Sequence, residues 1–404
     1  MEEGLVGNRK NMKRNKILRT IRYTDEVSRH DVKKITSYSM TTVLNTINDL
    51  LKNKLLIEEE CVAVKAGRKP TWLHINPDGQ FFIGVEFNAN EMNCVVINFE
   101  FEVIYEFRDK IYDEKTVDVV INLIKKNIRD ALKFLGKRLD RVLGIGIGLP
   151  GYVDSESGIG LDYPYIKGWD NVMVKQIIEK EFKYEVVIEN NVNTLAVAYR
   201  WLKCGEISDD FVLVSMEYGM RIVSIIDNKL FKGNGGNAGE IGHMRLVNGD
   251  RMCSCGRKGC VDTEVSFKAI KTKIIERMMF GYFGDMKKQI HGDFSKISME
   301  LFVKSVLEGD QDAKNLLEEV AMYLGQCLAP VLATLNPRRV IVASRSGLGG
   351  KLFSDKVYKT LEENITPVLI KNFDVECITI EKYTGAIGAA MLIMEKEFME
   401  VEGN

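Results

Sequence analysis

At 404 residues the chain is long enough for two or three domains, and 45% hydrophobic with 28% charged residues suits a globular protein with sizeable cores. Only seven prolines, with 34 glycines, exclude a collagen-like or broadly disordered chain. No run of eighteen apolar residues offers a membrane span, and Met1 to Lys10 carries no apolar signal region, so a cytoplasmic protein is expected. The net charge of −1 is unevenly spread: residues 1–70 hold 15 Lys/Arg against 9 Asp/Glu, the remainder 41 against 48. A basic head on an acidic body points to a polyanionic partner, although a solvated basic surface would carry the same surplus.

Residues 11–22 place Ile17, Leu18 and Ile21 at helical spacing among cations. Ser28 is suited to cap a second short helix, with Asp31 favouring its N-terminus and Val32 and Ile35 expected inward. Thr36-Ser37-Tyr38 has the length of a tight turn. Ser39 then caps a third helix through about Lys52, whose apolar stripe is Val43, Leu44, Ile47, Leu50 and Leu51. Its other face presents Thr41, Thr42, Asn45, Thr46 and Asn48. Short uncharged hydrogen-bonding side chains near a helix start suit base edges in a major groove, although an ordinary amphipathic helix would share the stripe. Leu55 to Glu58, Val62 to Val64 and Thr71 to Ile75 read as strands of a β-wing, with Ala66-Gly67-Arg68-Lys69-Pro70 as a cationic tip for phosphates or a narrow minor groove. Ser39, Thr41, Thr42, Asn45, Thr46, Arg68 and Lys69 are the candidate contacts to double-stranded DNA. The expected arrangement is a winged helix-turn-helix over residues 1–78.

From Phe81 the pattern changes to strands at Phe82–Phe87, Cys94–Phe99 and Val103–Phe107, a helix near 116–135 and a buried strand at Val142–Gly148 ending in Leu149-Pro150-Gly151. Strands and helices then alternate to the end, an α/β pattern without an internal repeat of 20–50 residues. Gly146-Ile147-Gly148-Leu149-Pro150-Gly151, Val153-Asp154, Gly168-Trp169, Glu189-Asn190-Asn191-Val192-Asn193, Ala238-Gly239-Glu240-Ile241-Gly242-His243-Met244 and Cys253-Ser254-Cys255-Gly256-Arg257-Lys258-Gly259-Cys260 follow. With these motifs the chain resembles the ROK family of sugar kinases and sugar-responsive repressors, and its head resembles the xylose-repressor-like branch, including the Gly-Arg-Lys-Pro wing. The resemblance implies a two-lobed, actin-like and ribonuclease-H-like sugar-kinase fold over 79–404. One lobe would comprise about 79–195 plus the C-terminal helix, the other 196–384.

Cys253, Cys255 and Cys260 with His243 ten residues upstream make a soft, closed ligand set suited to a structural tetrahedral zinc, with Gly256 and Gly259 favouring a knuckle over merely buried thiols. The resemblance assigns the same four ligands. Cys61, Cys94, Cys204, Cys327 and Cys377 are scattered and read as small core residues. Glu240 and His243, spaced one helical turn apart, would face a common cleft, and a metal-fixed imidazole keeps its second nitrogen oriented towards a ligand. The resemblance implies that Asn190, Glu240, His243 and Asp262 hold the sugar. Asp262 stands where the family usually has glutamate, one methylene longer.

A kinase needs a base near the attacking hydroxyl and backbone amides around the phosphates. The resemblance places the base at Asn191, whose amide is no substitute for the family's aspartate. The first phosphate loop, usually Asp-x-Gly-Gly-Thr-Lys, reads Glu86-Phe87-Asn88-Ala89-Asn90, and the second, usually Gly-Thr-Gly-x-Gly, reads Glu217-Tyr218-Gly219-Met220-Arg221. The late glycine pair has become Ala343-Ser344-Arg345-Ser346-Gly347. These losses imply a regulator rather than an enzyme: a sugar-responsive repressor whose sugar sits between the lobes and whose heads are paired by a homodimer on a symmetric operator. Two other readings differ in class. An active kinase with a DNA-binding head would need Asp154 or Asp162 as base, and a head serving as a protein-interaction module would leave the Thr/Asn face and Arg68 unexplained.

Overall fold

The structure, a computed structural model, describes residues 2–60, 71–88, 90–111, 115–204, 210–217, 219–245, 249–371 and 373–398. The head begins with three helices, α1 (Glu2–Arg22), α2 (Arg29–Thr36) and α3 (Met40–Lys52). At the start of α2 the Ser28 side chain accepts the Asp31 N–H while the Asp31 carboxylate accepts the Ser28 N–H, a reciprocal capping box. Ser37 ends the helix in the left-handed conformation, φ 59°. Ile35 does not turn inward as expected; it is 52% exposed. The buried stripe runs instead from Val32 to Thr36, four residues apart, and the Thr36 hydroxyl donates to the Val32 carbonyl at 2.6 Å. In α3 the buried residues are Val43, Ile47 and Leu50, with Leu44 and Leu51 half-buried.

Strands β1 (Leu56–Glu60) and β2 (Thr71–Ile75) pair antiparallel, Leu56 opposite Ile75 and Glu60 opposite Thr71. The described part of the head is thus three helices followed by a two-stranded antiparallel sheet. The expected strand Val62 to Val64 and the tip with Arg68 and Lys69 lie outside the described residues, as do Cys61, Ala89 and Tyr218.

Beyond the head, β3 (Phe81–Phe87), β4 (Glu91–Asn98) and β5 (Val103–Lys110) form an antiparallel meander. To its β3 edge are added, in parallel, β6 (Val142–Leu149) and then, after a small sheet of β7 (Tyr152–Asp154), β8 (Ile159–Asp162) and β9 (Asp170–Val172), β10 (Glu185–Asn190). The sheet order is β10-β6-β3-β4-β5. A second sheet repeats the plan with β11 (Phe211–Met216), β12 (Met220–Ile226), β13 (Lys229–Leu230), β14 (Arg339–Ser344) and β15 (Asp374–Thr379), ordered β13-β12-β11-β14-β15. Each is a meander extended by two parallel strands, the duplicated topology of an actin-like sugar-kinase fold.

The chain forms two compact units, residues 1–206 with 383–404, and residues 207–382. In the first, the helix Thr384–Phe398 lies directly on β6 because alternate strand positions are glycine. A Cβ on Gly146 would stand 1.7 Å from the Ala389 carbonyl oxygen. The head shares this unit's core: Ile17, Leu18 and Ile21 join one cluster with Phe82, Val95, Ile97, Phe99, Met391 and Leu392. At about 1.5–3 kcal/mol for each fully buried side chain, α1 is well anchored. The Arg22 guanidinium stacks 4.0 Å from the Phe101 ring centre and donates to the Phe99 carbonyl at 2.6 Å. In the second unit the long apolar helix Gln311–Leu335 buries Leu316, Leu317, Val320, Leu324 and Leu328 in the core.

Candidate nucleic-acid, metal and sugar sites

On α3 the structure separates the predicted DNA contacts into two groups. Ser39 Oγ accepts the Thr42 N–H at 3.2 Å and lies 2.9 Å from Thr42 Oγ1, so both hydroxyls belong to the helix cap. Thr41 and Asn45 are exposed one turn apart, Asn48 follows on the outer surface, and Thr46 is half-buried. The open polar row is therefore Thr41, Asn45 and Asn48. Lys33 and Lys34 on α2 are exposed nearby in sequence, Lys34 lying 3.9 Å from Asp31 Oδ1, and Arg29 is paired with Glu58.

His243, Cys253, Cys255 and Cys260 converge, with one ligand atom from each lying within 4.8 Å of all the others. Cys253 Sγ stands 3.7 Å from His243 Nδ1 and Cys255 Sγ stands 3.6 Å from Cys260 Sγ. A tetrahedral zinc with bonds of about 2.3 Å to sulfur and 2.0–2.1 Å to nitrogen separates its ligand atoms by roughly 3.6–3.8 Å. The donor set and its spacing fit such an ion. The knuckle is made by the Cys253 N–H donating to the Arg257 carbonyl at 2.8 Å and the Gly256 N–H donating to the Cys253 carbonyl at 3.0 Å. Gly256 and Gly259 both take positive φ. Hydrogen bonds from Arg257 pull the Cys255 thiol down to about 6, whereas burial pushes its neighbour Cys260 up to about 12. Cys94 and Cys327 are buried core thiols, as expected, and Cys377 is half-buried.

Three of the four predicted sugar residues gather in the second unit. Glu240 precedes the short turn Ile241–His243, and Asp262, two residues after Cys260, opens a four-residue helix. His243 and Glu240 both act electrostatically on the Asp262 carboxyl. Burial pushes that carboxyl up, against the Met220 N–H that donates to Asp262 Oδ1 at 2.8 Å. Arg221, read from sequence only as a lost phosphate-loop glycine, reaches Glu240 Oε1 with Nη1 at 3.0 Å. Asn190 stands in the first unit, 3% exposed, where its Oδ1 accepts the Val192 N–H at 2.9 Å and its Nδ2 donates to the Gly151 carbonyl at 2.8 Å. It caps the helix Asn191–Tyr199, so Asn191, at the expected base position, is that helix's first residue.

Among the described residues, side chains at the altered positions accept nearby backbone N–H groups. In the first unit, Asn88 Oδ1 accepts the N–H groups of Asn90 and Glu91 at 2.9 and 3.1 Å. In the second, Glu217 Oε1 accepts the Arg345 N–H at 2.7 Å, and burial raises the Glu217 carboxyl. This pairing joins the end of β11 to the end of β14 and was not legible in the sequence, where the two residues are 128 positions apart. Asp154 accepts the N–H groups of Glu156 and Ser157 at 3.1 Å, which hold its carboxyl below the usual range, and Asp162 is exposed.

Residues 82–396 match the sequence family described as the ROK family. The chain belongs to the ROK family. Among relatives of this ROK chain, a protein named xylose repressor from Caldicellulosiruptor bescii is 29% identical over 383 residues, covering 94% of each chain. A glucokinase from Halalkalibacterium halodurans is 26% identical over 291 residues, 70% of this chain and 86% of its own. A crystal structure of a ROK family transcriptional regulator, a homologue of the Escherichia coli MLC protein, superposes with a TM-score of 0.83 at 23% identity, covering 98% of both chains. The repressor and the regulator match the chain along 94% and 98% of its length, whereas the match to the glucokinase covers 70%.

Proposed function

We propose that this ROK protein is a sugar-responsive transcriptional regulator of the repressor kind, acting in the cytoplasm on carbohydrate genes, with a body that does not transfer phosphate. The observation that carries this reading is the joining of an open Thr41–Asn45–Asn48 row on α3 to a ROK body in which Asn88 and Glu217, at altered phosphate-loop positions, accept backbone N–H groups. Backbone N–H groups are what a nucleotide-binding loop offers to phosphate. At Asn90 and Glu91 they already donate to Asn88, and at Arg345 to Glu217, whose carboxylate also pairs with the Arg345 guanidinium at 3.8 Å.

The head would lay α3 in a major groove, with Thr41 and Asn45 at base edges and Arg68 and Lys69 at phosphates. Ser39 and Thr42 would fix the helix start rather than read bases. A homodimer would set two heads on successive half-sites of a symmetric operator. Glu240, His243 and Asp262 in the second unit would hold the sugar, their carboxylates accepting from hydroxyls while the imidazole N–H donates, and Asn190 is the candidate sugar ligand of the first unit. Zinc held by His243 Nδ1, Cys253, Cys255 and Cys260 would supply structural cross-linking and fix the imidazole. Sugar regulates DNA binding to the extent that it binds the operator-competent arrangement with a different affinity from the alternative.

The active-kinase reading needs a base, and Asp154 is a poor one because its carboxyl is already stabilised as the anion by Ser157 and Glu156. The test is one preparation carried through two assays. An operator is selected from random duplexes, its affinity is measured across a panel of aldoses and amino sugars, and sugar-dependent ADP formation is followed on the same protein. A selected sequence whose affinity shifts with one sugar, without turnover, is expected. Robust ADP formation, or no enriched sequence, overturns the reading.

A further inference from the structure

The first three residues of β12 each hold a different part of the predicted sugar site. The Met220 N–H donates to Asp262 Oδ1 at 2.8 Å, and the Ile222 N–H donates to the Gly239 carbonyl at 3.0 Å. Between them Arg221 grips the intervening loop twice, with Nη1 3.0 Å from Glu240 Oε1 and Nη2 donating to the Ala238 carbonyl at 3.2 Å. The loop is pressed against the strand. Gly239 has φ +94°, and a Cβ there would lie 1.9 Å from the Ile222 carbonyl oxygen. The Arg221 side chain is only 8% exposed, which separates it from the mobile surface cations that form weak ion pairs.

A planar guanidinium bound to a carboxylate and to a carbonyl two residues earlier fixes both the position and the plane of that carboxylate. A carboxylate has acceptor sites enough to keep this bond and still receive hydroxyl donors. We propose that Arg221 is a positioning residue that presents the Glu240 carboxylate to the sugar, so that a side chain occupying a former phosphate-loop position now serves effector recognition. This rests on the reading of Glu240 as a sugar ligand. Arg221 acts through Glu240 and touches no sugar atom itself.

The test is a double-mutant cycle on the full-length zinc-loaded protein, with D-xylose, D-glucose and N-acetylglucosamine as probes and titration calorimetry as readout. With the sugar that wild type binds best, Arg221→Met is expected to weaken binding by tenfold or more, and Arg221→Lys by less. In a Glu240→Gln background, Arg221→Met should cost under threefold, while zinc content and sugar-free operator affinity stay within twofold of wild type. Binding by Arg221→Met within twofold of wild type overturns the proposal, as do losses that multiply in the double variant. If Arg221→Met does not fold, Arg221→Lys decides alone, and an affinity equal to wild type overturns the proposal. Wild type binding none of the three sugars, while still binding its operator, removes the sugar reading and this inference with it. A wild-type response followed by silent Arg221 variants removes only the inference.

Discussion

Asn45→Ala separates a base-reading residue from a merely helical one, because its effects on folding and on DNA binding have opposite signs. Asn45 is exposed in the middle of α3, so truncation opens no cavity. Alanine is the better helix former by about 0.5 kcal/mol, and the melting temperature should hold or rise slightly. If the amide makes a bidentate contact to a base, its loss removes about 1–3 kcal/mol, a roughly 5- to 150-fold weaker operator complex. The loss should also be selective: duplexes altered at the contacted base pair should no longer be discriminated. Ile47→Ala is the matched control. Ile47 is fully buried two residues along the same helix, and its truncation should cost about 2–5 kcal/mol of stability through the cavity. Fluorescence anisotropy against the selected operator and each single-base variant, with thermal melts of both proteins, gives the comparison. If Asn45→Ala binds every variant as wild type does, α3 is not the reading helix and the argument from its polar row is wrong.

Cys255→Ser is expected to lower zinc below one ion per chain and to lower the melting temperature, because the four-ligand site couples metal binding to folding; full zinc content by metal analysis would refute the assignment. Lys273 is 3% exposed between Glu264 at 2.6 Å and Glu319 at 2.8 Å; Glu319 also pairs with Arg277, so Lys273→Met should cost about 3 kcal/mol chiefly by removing the near cation of the buried Glu264 carboxylate, read from urea unfolding. An unchanged midpoint would show that this carboxylate finds other partners. Burial raises the Glu217 carboxyl above its unfolded value, so its contribution to stability is largest below the ordinary glutamate range and declines as pH rises through the raised value. Glu217→Gln, which keeps an acceptor for the Arg345 N–H, should therefore gain stability relative to wild type at pH 7 compared with pH 4. A difference that does not change with pH would contradict the shift.

Local signals were legible in the sequence because their physics is local. The Ser28 and Ser39 caps, the Val43–Ile47–Leu50 stripe and the strand at Val142–Leu149 follow from side chains acting within a few residues of their own backbone. The His243–Cys253–Cys255–Cys260 cluster was legible for the same reason, since soft ligands crowded into eighteen positions have few other uses. The residue pattern also displayed the altered loops, but only as losses. What filled them was decided by the sheets. The parallel pairing of β11 with β14 brings Glu217 to Arg345, and the β12 edge brings Arg221 to Glu240. Ile35 shows the same division at small scale: its spacing from Val32 led to an inward position, and the 32–36 stripe chosen by packing left it outside. Periodicity and ligand chemistry are properties of short stretches, whereas the partner of a buried charge depends on which distant strand the sheet places beside it.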